Sequence, residues 1–533
     1  MTRVHQIGLS NVLVLAAGLW LVSTVVKRLV KAPGTKLNGP PSESLFFGAS
    51  RKTARAPDSS VVFEEWAAQY GPVYEVPTAM WGRRIILCDP KAVSHFYSME
   101  RSIYVKSKLG RTLIANLFGR GLLWAEGESH KRQRKALTPA FSNAAIRRLT
   151  SVFYDSSYKL KAHWDATLET TSDGAIIDVE HWMNLVALDS IGIAGFAHDF
   201  RTLDGEYSAV AAAFESLSSK DDSALSKLIF IVGIRLPFLA RLPTQRNCTM
   251  GNLRRTMSGI ADEMLEKIRR EKSHATDESF DRSVIGLLLK AEGDGAELHM
   301  DRNEVVAQMN VLLIAGYETT SISLTWALIE LARNPEKQAK LREELVQFGP
   351  ADPTWDQLGS ALPYLESTVL EILRLHPPIA QTTREALVDD IMPIGEPITT
   401  KSGQRVDRIA IPKGTILSVP IRCINRAEVF WGPSAKAFEP ERWLTLNDDP
   451  LRAKEIQGHR HLLTFLDGPR TCLGKAFALA EFKAALLVLV KNFVFEFPDG
   501  PETVIKMQDG LIQRPKVAGQ RGPRVPLRVR RVE

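Results

Sequence analysis

The first strong pattern along the chain is an uncharged apolar run from Ile7 to Val26. As a helix rising about 1.5 Å per residue it covers about 30 Å, the thickness of bilayer hydrocarbon. Arg3 precedes it, and Lys27, Arg28 and Lys31 follow at once. These flanking cations orient the bulk of the chain toward the cytosol. A cleaved signal peptide would carry a shorter apolar core, with a small-residue cleavage site where the cations stand. Pro40 and Pro41 in "NGPPSES" then read as a stiff joint. The pattern therefore predicts an N-terminal membrane anchor over 1–32 and a proline-containing joint over 33–60.

Beyond the joint, "GPVYEVPTAMWGRRIILCDP" predicts a strand pair turning near Trp81–Gly82. Helical periodicity dominates from Lys91 to about Leu289. The longest helix is predicted from Asp301 to Arg333, with Asp301 and Glu304 as a capping box and Pro335 past its end. Its centre, "VLLIAGYETTSISLTWALIEL", has the length of a membrane span, but Glu318, Thr319, Thr320, Ser321 and Ser323 make that placement costly. It reads instead as the central helix of a large soluble domain. "PYLESTVLEILRL" is a second helix, stopped by Pro377 and Pro378. "IPKGTILSVPI" is a turn and strand, an irregular stretch runs from about Ala437 to Cys472, and a last helix spans Leu473 to Lys491. The expected fold is mainly α with small β-sheets: a single large domain over 61–515 and a solvated basic tail over 516–533.

Composition changes this picture little. The 533 residues are 44% hydrophobic and 24% charged, which is ordinary for a globular chain. No repeat or long linker divides them. Cys88, Cys248, Cys423 and Cys472 are far apart and form no C-x-x-C, which argues against a disulfide framework or structural zinc and suits a reducing compartment. The net charge of +7 is partly gathered in "RGPRVPLRVRRVE". No nucleic-acid reading module accompanies it, so no nucleic acid is expected as partner. Contact with an acidic protein or an anionic membrane stays open.

Candidate chemistry lies in four places. Glu371 and Arg374, three apart on one helix, share a face; alone they read as a surface ion pair, but the apolar neighbours Val369, Leu370, Ile372 and Leu373 point to burial, and Arg442 of "FEPERW" offers a second cation. "AGYETT" puts Ala315 and Gly316 in mid-helix, either as a packing notch or as room for a ligand at the backbone. Thr319 supplies a hydroxyl and Glu318 an acid whose pKa an apolar setting raises. His130 and Arg134, four apart, form one face able to hold a carboxylate or phosphate, or else belong to a solvated basic helix. "FLDGPRTCLGKAFA" holds Cys472 before a predicted helix, whose N–H groups and dipole favour thiolate. Gly468 and Gly474 let the backbone approach a flat cofactor, and Arg470 can reach an anionic group on it. A single thiolate with an open opposite side suits haem iron better than zinc.

With these residues in family order, the chain resembles the cytochrome P-450 superfamily of haem-thiolate monooxygenases from about Val61 to Ile512. Phe465, Gly468, Arg470, Cys472 and Gly474 fill every fixed position of its F-x-x-G-x-R-x-C-x-G pattern, and Ala315–Thr320 fills A-G-x-E-T-T. "PERW" is similar to P-E-R-F with Trp443 for phenylalanine, and His130-x-x-x-Arg134 stands where the family has W-x-x-x-R. The anchor resembles that of endoplasmic-reticulum members, and the motif style resembles fungal ones. The resemblance implies a P-450 fold with haem b ligated by Cys472, O2 as co-substrate and Thr319 with Glu318 delivering protons. It further implies His130, Arg134, Arg384 and Arg470 as propionate partners, with Glu371, Arg374 and Arg442 bracing the cysteine loop. NADPH would act only through a flavoprotein reductase, with a cytochrome b5-type protein as a further donor; Lys131, Arg132, Lys135 and Lys475 are candidates to steer the reductase. The expected substrate is a lipophilic small molecule, of terpenoid or steroid-like kind or another secondary metabolite, in a pocket drawn from Ser107–Leu122, Leu228–Leu242, Val311, Leu312, Ala315, Ile379–Thr383 and Leu511–Ile512. The expected location is the endoplasmic-reticulum membrane, single-pass, with the catalytic domain cytosolic. An electron-independent isomerase or dehydratase and a non-catalytic haem or lipid carrier are the rival readings.

Overall fold

The computed structural model describes residues 34–44, 47–79, 82–171, 173–210, 212, 245–272, 283–293, 295–446, 451–508 and 510–532. The expected anchor at Ile7–Val26, the pocket segment Leu228–Leu242 and Trp81 of the first turn lie outside the described residues.

Six helices position the site: α1 (Gly127–Leu137), α2 (Asn143–Glu169), α3 (Val179–Phe196), α4 (Arg302–Arg333), α5 (Pro363–Leu375) and α6 (Lys475–Asn492). α4 is the axis, packed against α3, α5 and α6. Its apolar stretch is long enough to cross a bilayer but is 78% buried inside the fold, as a central soluble helix should be. Of the hydroxyls that looked costly, Thr319, Ser321 and Ser323 donate to the carbonyls of Ala315, Glu318 and Thr319 at 2.6, 3.1 and 3.0 Å, whereas Thr320 has no such carbonyl partner and faces Glu481 of α6.

Alongside further helices, the described residues form twelve short strands: β1 (Val73–Thr78), β2 (Gly82–Leu87), β3 (Tyr104–Val105), β4 (Ala175–Asp178), β5 (Thr382–Ala386), β6 (Asp390–Thr399), β7 (Arg405–Ile411), β8 (Ile416–Val419), β9 (Phe493–Glu496), β10 (Ile505–Gln508), β11 (Arg514–Val517) and β12 (Pro526–Arg531). The largest sheet has the order β1-β2-β8-β5-β3, antiparallel except for the parallel β2–β8 pair. The predicted strand pair is β1–β2, in register from Val73 opposite Leu87 to Thr78 opposite Gly82.

The structure corrects four sequence expectations. The packed body begins well before residue 61: Leu37 is buried, Thr35 N–H donates to Ala410 O, and a Cβ on Gly39 would stand 1.9 Å from Glu75 O. The start of the joint is held to β1 and the β6–β7 hairpin by hydrogen bonds: Asn38 O accepts from Glu75 N–H, Lys36 O from Lys401 N–H, and Asn38 Nδ2 donates to Thr399 O. Nor is 516–533 a solvated tail. β12 is the middle strand between β4 and β9, burying Leu527 and Val529, while Arg528, Arg530 and Arg531 pair with Asp173, Glu496 and Asp165. The alternation of apolar and basic residues in "PLRVRR" was a strand with one buried face. The cap of α4 is half a box: Asp301 accepts from Glu304 N–H at 2.9 Å, but Arg132 and Gln133 take the Glu304 carboxylate at 2.6 and 2.9 Å. The last helix begins at Lys475, leaving Cys472 two residues ahead of its N-cap, Gly474.

Candidate active site between Cys472 and helix α4

A helix in the middle of a protein is expected to be buried on every side. α4 is not: Ala315 is exposed, and Leu312, Gly316 and Thr319 are half-buried, amid closed neighbours. Positions 312, 315, 316 and 319 lie on one helical face, so that face borders an internal cleft. Cys472 has the same character. Its thiol is accessible, yet burial is the largest influence on its ionisation, the mark of a group facing an interior space rather than the outer surface.

The cysteine loop is held by backbone geometry. Cys472 N–H donates to Phe465 O at 2.8 Å, and Phe465 is itself buried, edge-on to His459. Gly468 has φ +66°, and a Cβ there would stand 2.5 Å from Tyr97 O. Gly474 has no such need: its nearest neighbour would be Phe141 at 3.8 Å, so nothing in the protein itself demands glycine there. Burial pushes the Cys472 thiol up, and the Gly474 N–H, Arg134 and Lys475 pull it only partly back. The thiol precedes the helix, and desolvation outweighs what the helix end supplies.

Around this loop the structure gathers the predicted cations. Arg470 donates to Ala125 O at 3.0 Å and to the Glu126 carboxylate; Arg384, on β5, pairs with Glu100 at 2.7 Å. His130 is buried, and burial together with Arg470, Lys106, Arg134 and Arg101 pushes its pKa down to about 3. It is therefore a neutral donor, one of the two forms its motif allowed. Arg134 lies near enough to Cys472 to favour a thiolate there, which puts it on the thiol side of the cluster. No local pattern singled out Lys106, Glu100 or Glu126. Lys106 is buried 3.4 Å from Glu126, and burial with Arg470 and Arg384 depresses its pKa to about 7. Lys106, Arg134, Arg384 and Arg470 outnumber Glu100 and Glu126, and Arg384 Nε, Arg470 Nε and His130 Nδ1 are buried without hydrogen-bond partners. Excess buried cation with unused donors fits a flat cofactor carrying carboxylates beside an accessible thiol.

The second predicted constellation is a separate knot. Glu371 accepts from Arg374 Nε and Nη2 at 2.8 Å each, Arg442 Nε at 3.1 Å, Glu439 N–H at 3.0 Å and Trp443 Nε1 at 2.9 Å. The tryptophan that looked like a departure supplies a donor that phenylalanine lacks. Arg374 also donates to the carbonyls of Asn425, Ala435 and Ala437, pinning the irregular stretch. Asn425 then reaches Thr464, and Thr464 reaches Leu373 O, which ties the knot to the start of the cysteine loop.

In "AGYETT" both readings hold. A Cβ on Gly316 would stand 2.7 Å from Ile191 of α3, so this glycine serves helix packing, while Ala315 opens to the cleft. Thr319 Oγ1 donates to Ala315 O at 2.6 Å, leaving its lone pairs for the cleft. Glu318 does not join it there. It is 2% exposed and turned toward Arg514, 3.4 Å away. Of the basic residues considered for steering, Lys131, Arg132 and Lys135 are paired with Glu128, Glu304 and Glu297.

The cytochrome P-450 family model matches residues 39–519. The cytochrome P-450 monooxygenase claP of Ampulloclitocybe clavipes is 58% identical over 537 residues, covering 100% of both chains. Monooxygenase claQ of the same fungus is 57% identical with the same coverage. Cytochrome P-450 monooxygenase 205 of Postia placenta is 33% identical over 99% of this chain and 98% of its own.

Proposed function

This chain belongs to the cytochrome P-450 family and is a cytochrome P-450 monooxygenase; on that premise we propose that it holds haem b through Cys472 and oxidises a lipophilic small molecule. The observation that carries the reading is the interior, accessible thiol of Cys472 on its braced loop, beside a buried cluster with excess positive charge. The isomerase and carrier readings are set aside, because the full-length relatives are monooxygenases.

Bound haem supplies the iron at which dioxygen is reduced and one oxygen atom is passed to substrate. The chain supplies the rest. Cys472 acts as thiolate once coordinated, since a bound metal ion deprotonates a thiol that burial alone keeps protonated. The Gly474 N–H tempers the sulfur's charge. Arg470, Arg384 and Arg134 would hold the propionates as cations, with Lys106 and the neutral His130 as further donors. Thr319 holds a water in the cleft through its free lone pairs. Glu318, whose carboxyl burial pushes up, supplies protons toward it. Leu312, Ala315, Ile379, Leu511 and Ile512 are accessible or half-buried apolar positions from three elements, which suits a lipophilic substrate such as a terpenoid or another secondary metabolite. Ile7–Val26 anchors the chain in the endoplasmic-reticulum membrane with the body in the cytosol. Electrons come from an NADPH-dependent flavoprotein reductase there, with a cytochrome b5-type protein as an additional donor.

The test is the carbon monoxide difference spectrum of the dithionite-reduced protein in membranes, followed by a lipophilic-substrate screen with reductase and NADPH. A strongly red-shifted thiolate-type Soret band, absent in Cys472→Ala, is the expected result. A band typical of histidine or neutral-thiol ligation in folded protein overturns the ligand assignment.

A further inference from the structure

Glu318 and Thr319 are neighbours in sequence, but their side chains leave α4 in different directions. Only Thr319 opens to the cleft. Glu318 Oε1 lies 3.4 Å from Arg514 Nη2 on β11, its carboxylate accepts the Ile512 N–H, and Oε2 is buried without a partner. Arg514 Nη1 lies 3.2 Å from Glu180 Oε1, in the first turn of α3, and the guanidinium sits over the Tyr317 ring, 5.9 Å from its centre. The side chains of Glu318, Arg514 and Glu180 are 2%, 2% and 7% exposed. Two carboxyls thus share one guanidinium in a site closed to water.

That charge balance has a chemical consequence. One guanidinium neutralises one carboxylate, and a second buried carboxylate would be uncompensated, so the site retains one proton. The groups facing it agree. Asp178 raises Glu180 further, Asn184 and Arg514 lower it, and burial leads, pushing its pKa up to about 7. Tyr317 is held neutral by burial, and Arg514 is held charged by the anionic groups around it.

We propose that Glu318, Arg514 and Glu180 form a proton-storing triad, in which Glu180 reloads Glu318 and Arg514 is the positioning residue that keeps the two carboxyls in one site. The step moves one proton from the Glu180 carboxylic acid to the Glu318 carboxylate. Arg514 stays a cation, the transfer leaves the site's net charge unchanged, and the proton passed on to the cleft is replaced from bulk water. The triad rests on the reading of Glu318 as proton supplier to the cleft.

The test uses the full chain in membranes with a cytochrome P-450 reductase and NADPH, without added substrate. Each dioxygen leaves either as hydrogen peroxide, using two electrons and two protons, or as two waters, using four of each. NADPH consumed and peroxide released therefore give the water share, which reads proton delivery. In the wild type this share falls as pH rises through about 7. Glu180→Gln is expected to raise peroxide per NADPH roughly three- to tenfold below that pH and to flatten the pH dependence, with an unchanged reduced carbon monoxide band. Arg514→Lys, which keeps the charge but loses the fork, raises peroxide while keeping the pH dependence. A Glu180→Gln profile that matches the wild type overturns the triad. If Glu180→Gln does not hold haem, the wild type still decides: a water share independent of pH from about 6 to about 9 overturns it. Glu318→Gln separates the two readings. Without effect, the relay role itself fails; if it uncouples turnover while Glu180→Gln does not, the triad alone fails.

Discussion

Arg374 grips Glu371 at both ends: Nε and Nη2 each lie 2.8 Å from the carboxylate, and both side chains are wholly buried. Removing the acid leaves Arg374 an uncompensated buried cation and leaves Arg442 only the half-exposed Glu439 carboxylate. Glu371→Gln should therefore cost about 3–5 kcal/mol and release the loop that Asn425 and Thr464 tie to this knot. Thermal unfolding and haem content read both. Trp443→Phe removes one N–H from a carboxylate that keeps its other donors, and should cost only about 1–2 kcal/mol.

Two glycines of the cysteine loop should separate folding from cofactor retention. Gly468→Ala places a Cβ against the Tyr97 backbone at positive φ, and should cost about 1–3 kcal/mol with or without haem. Gly474→Ala meets only Phe141 at contact distance and should leave the melting temperature of the haem-free chain unchanged. If Gly474 serves the cofactor, this variant loses haem faster to a haem-accepting globin. Equal retention in wild type and variant would count against that role.

Thr319→Ala should divert reducing equivalents to peroxide while the reduced carbon monoxide band stays intact. Thr319→Ser, which keeps the hydroxyl, should recover most of the coupling. Peroxide release per NADPH distinguishes the two, and equal release by both variants would mean the hydroxyl is not what matters.

Glu481, on α6, is buried between the Thr320 and Ser190 hydroxyls, and burial pushes its pKa up to about 8. Below about pH 4.5 the acid is protonated in folded and unfolded chains alike and contributes nothing. From there to about 8 the unfolded chain gives up the proton while the folded one keeps it, so stability falls as pH rises across that window. Glu481→Gln removes the penalty. Its stability advantage over the wild type should grow by roughly 2–4 kcal/mol between those limits, read by denaturant unfolding at several pH values. A constant difference would show that the acid is ionised in the fold.

What local spacing encodes was legible in the chain alone. The fixed positions around Cys472, the i,i+3 relation of Glu371 and Arg374, the proline stop after α5 and the uncharged, hydroxyl-bearing centre of α4 are all short-range facts, legible without a fold. The tertiary structure decided every pairing between distant segments. It placed Lys106, Glu100 and Glu126 among the motif arginines, and Arg514 and Glu180 against Glu318. It gave Trp443 a carboxylate to bond, and made a strand of the basic tail by laying it between β4 and β9. Ionisation was also settled there. Burial and neighbouring cations push the His130 pKa down, and burial pushes the Cys472 thiol up against the pull of Arg134 and Lys475. Such effects depend on distances across hundreds of residues of chain, and no local pattern encodes them.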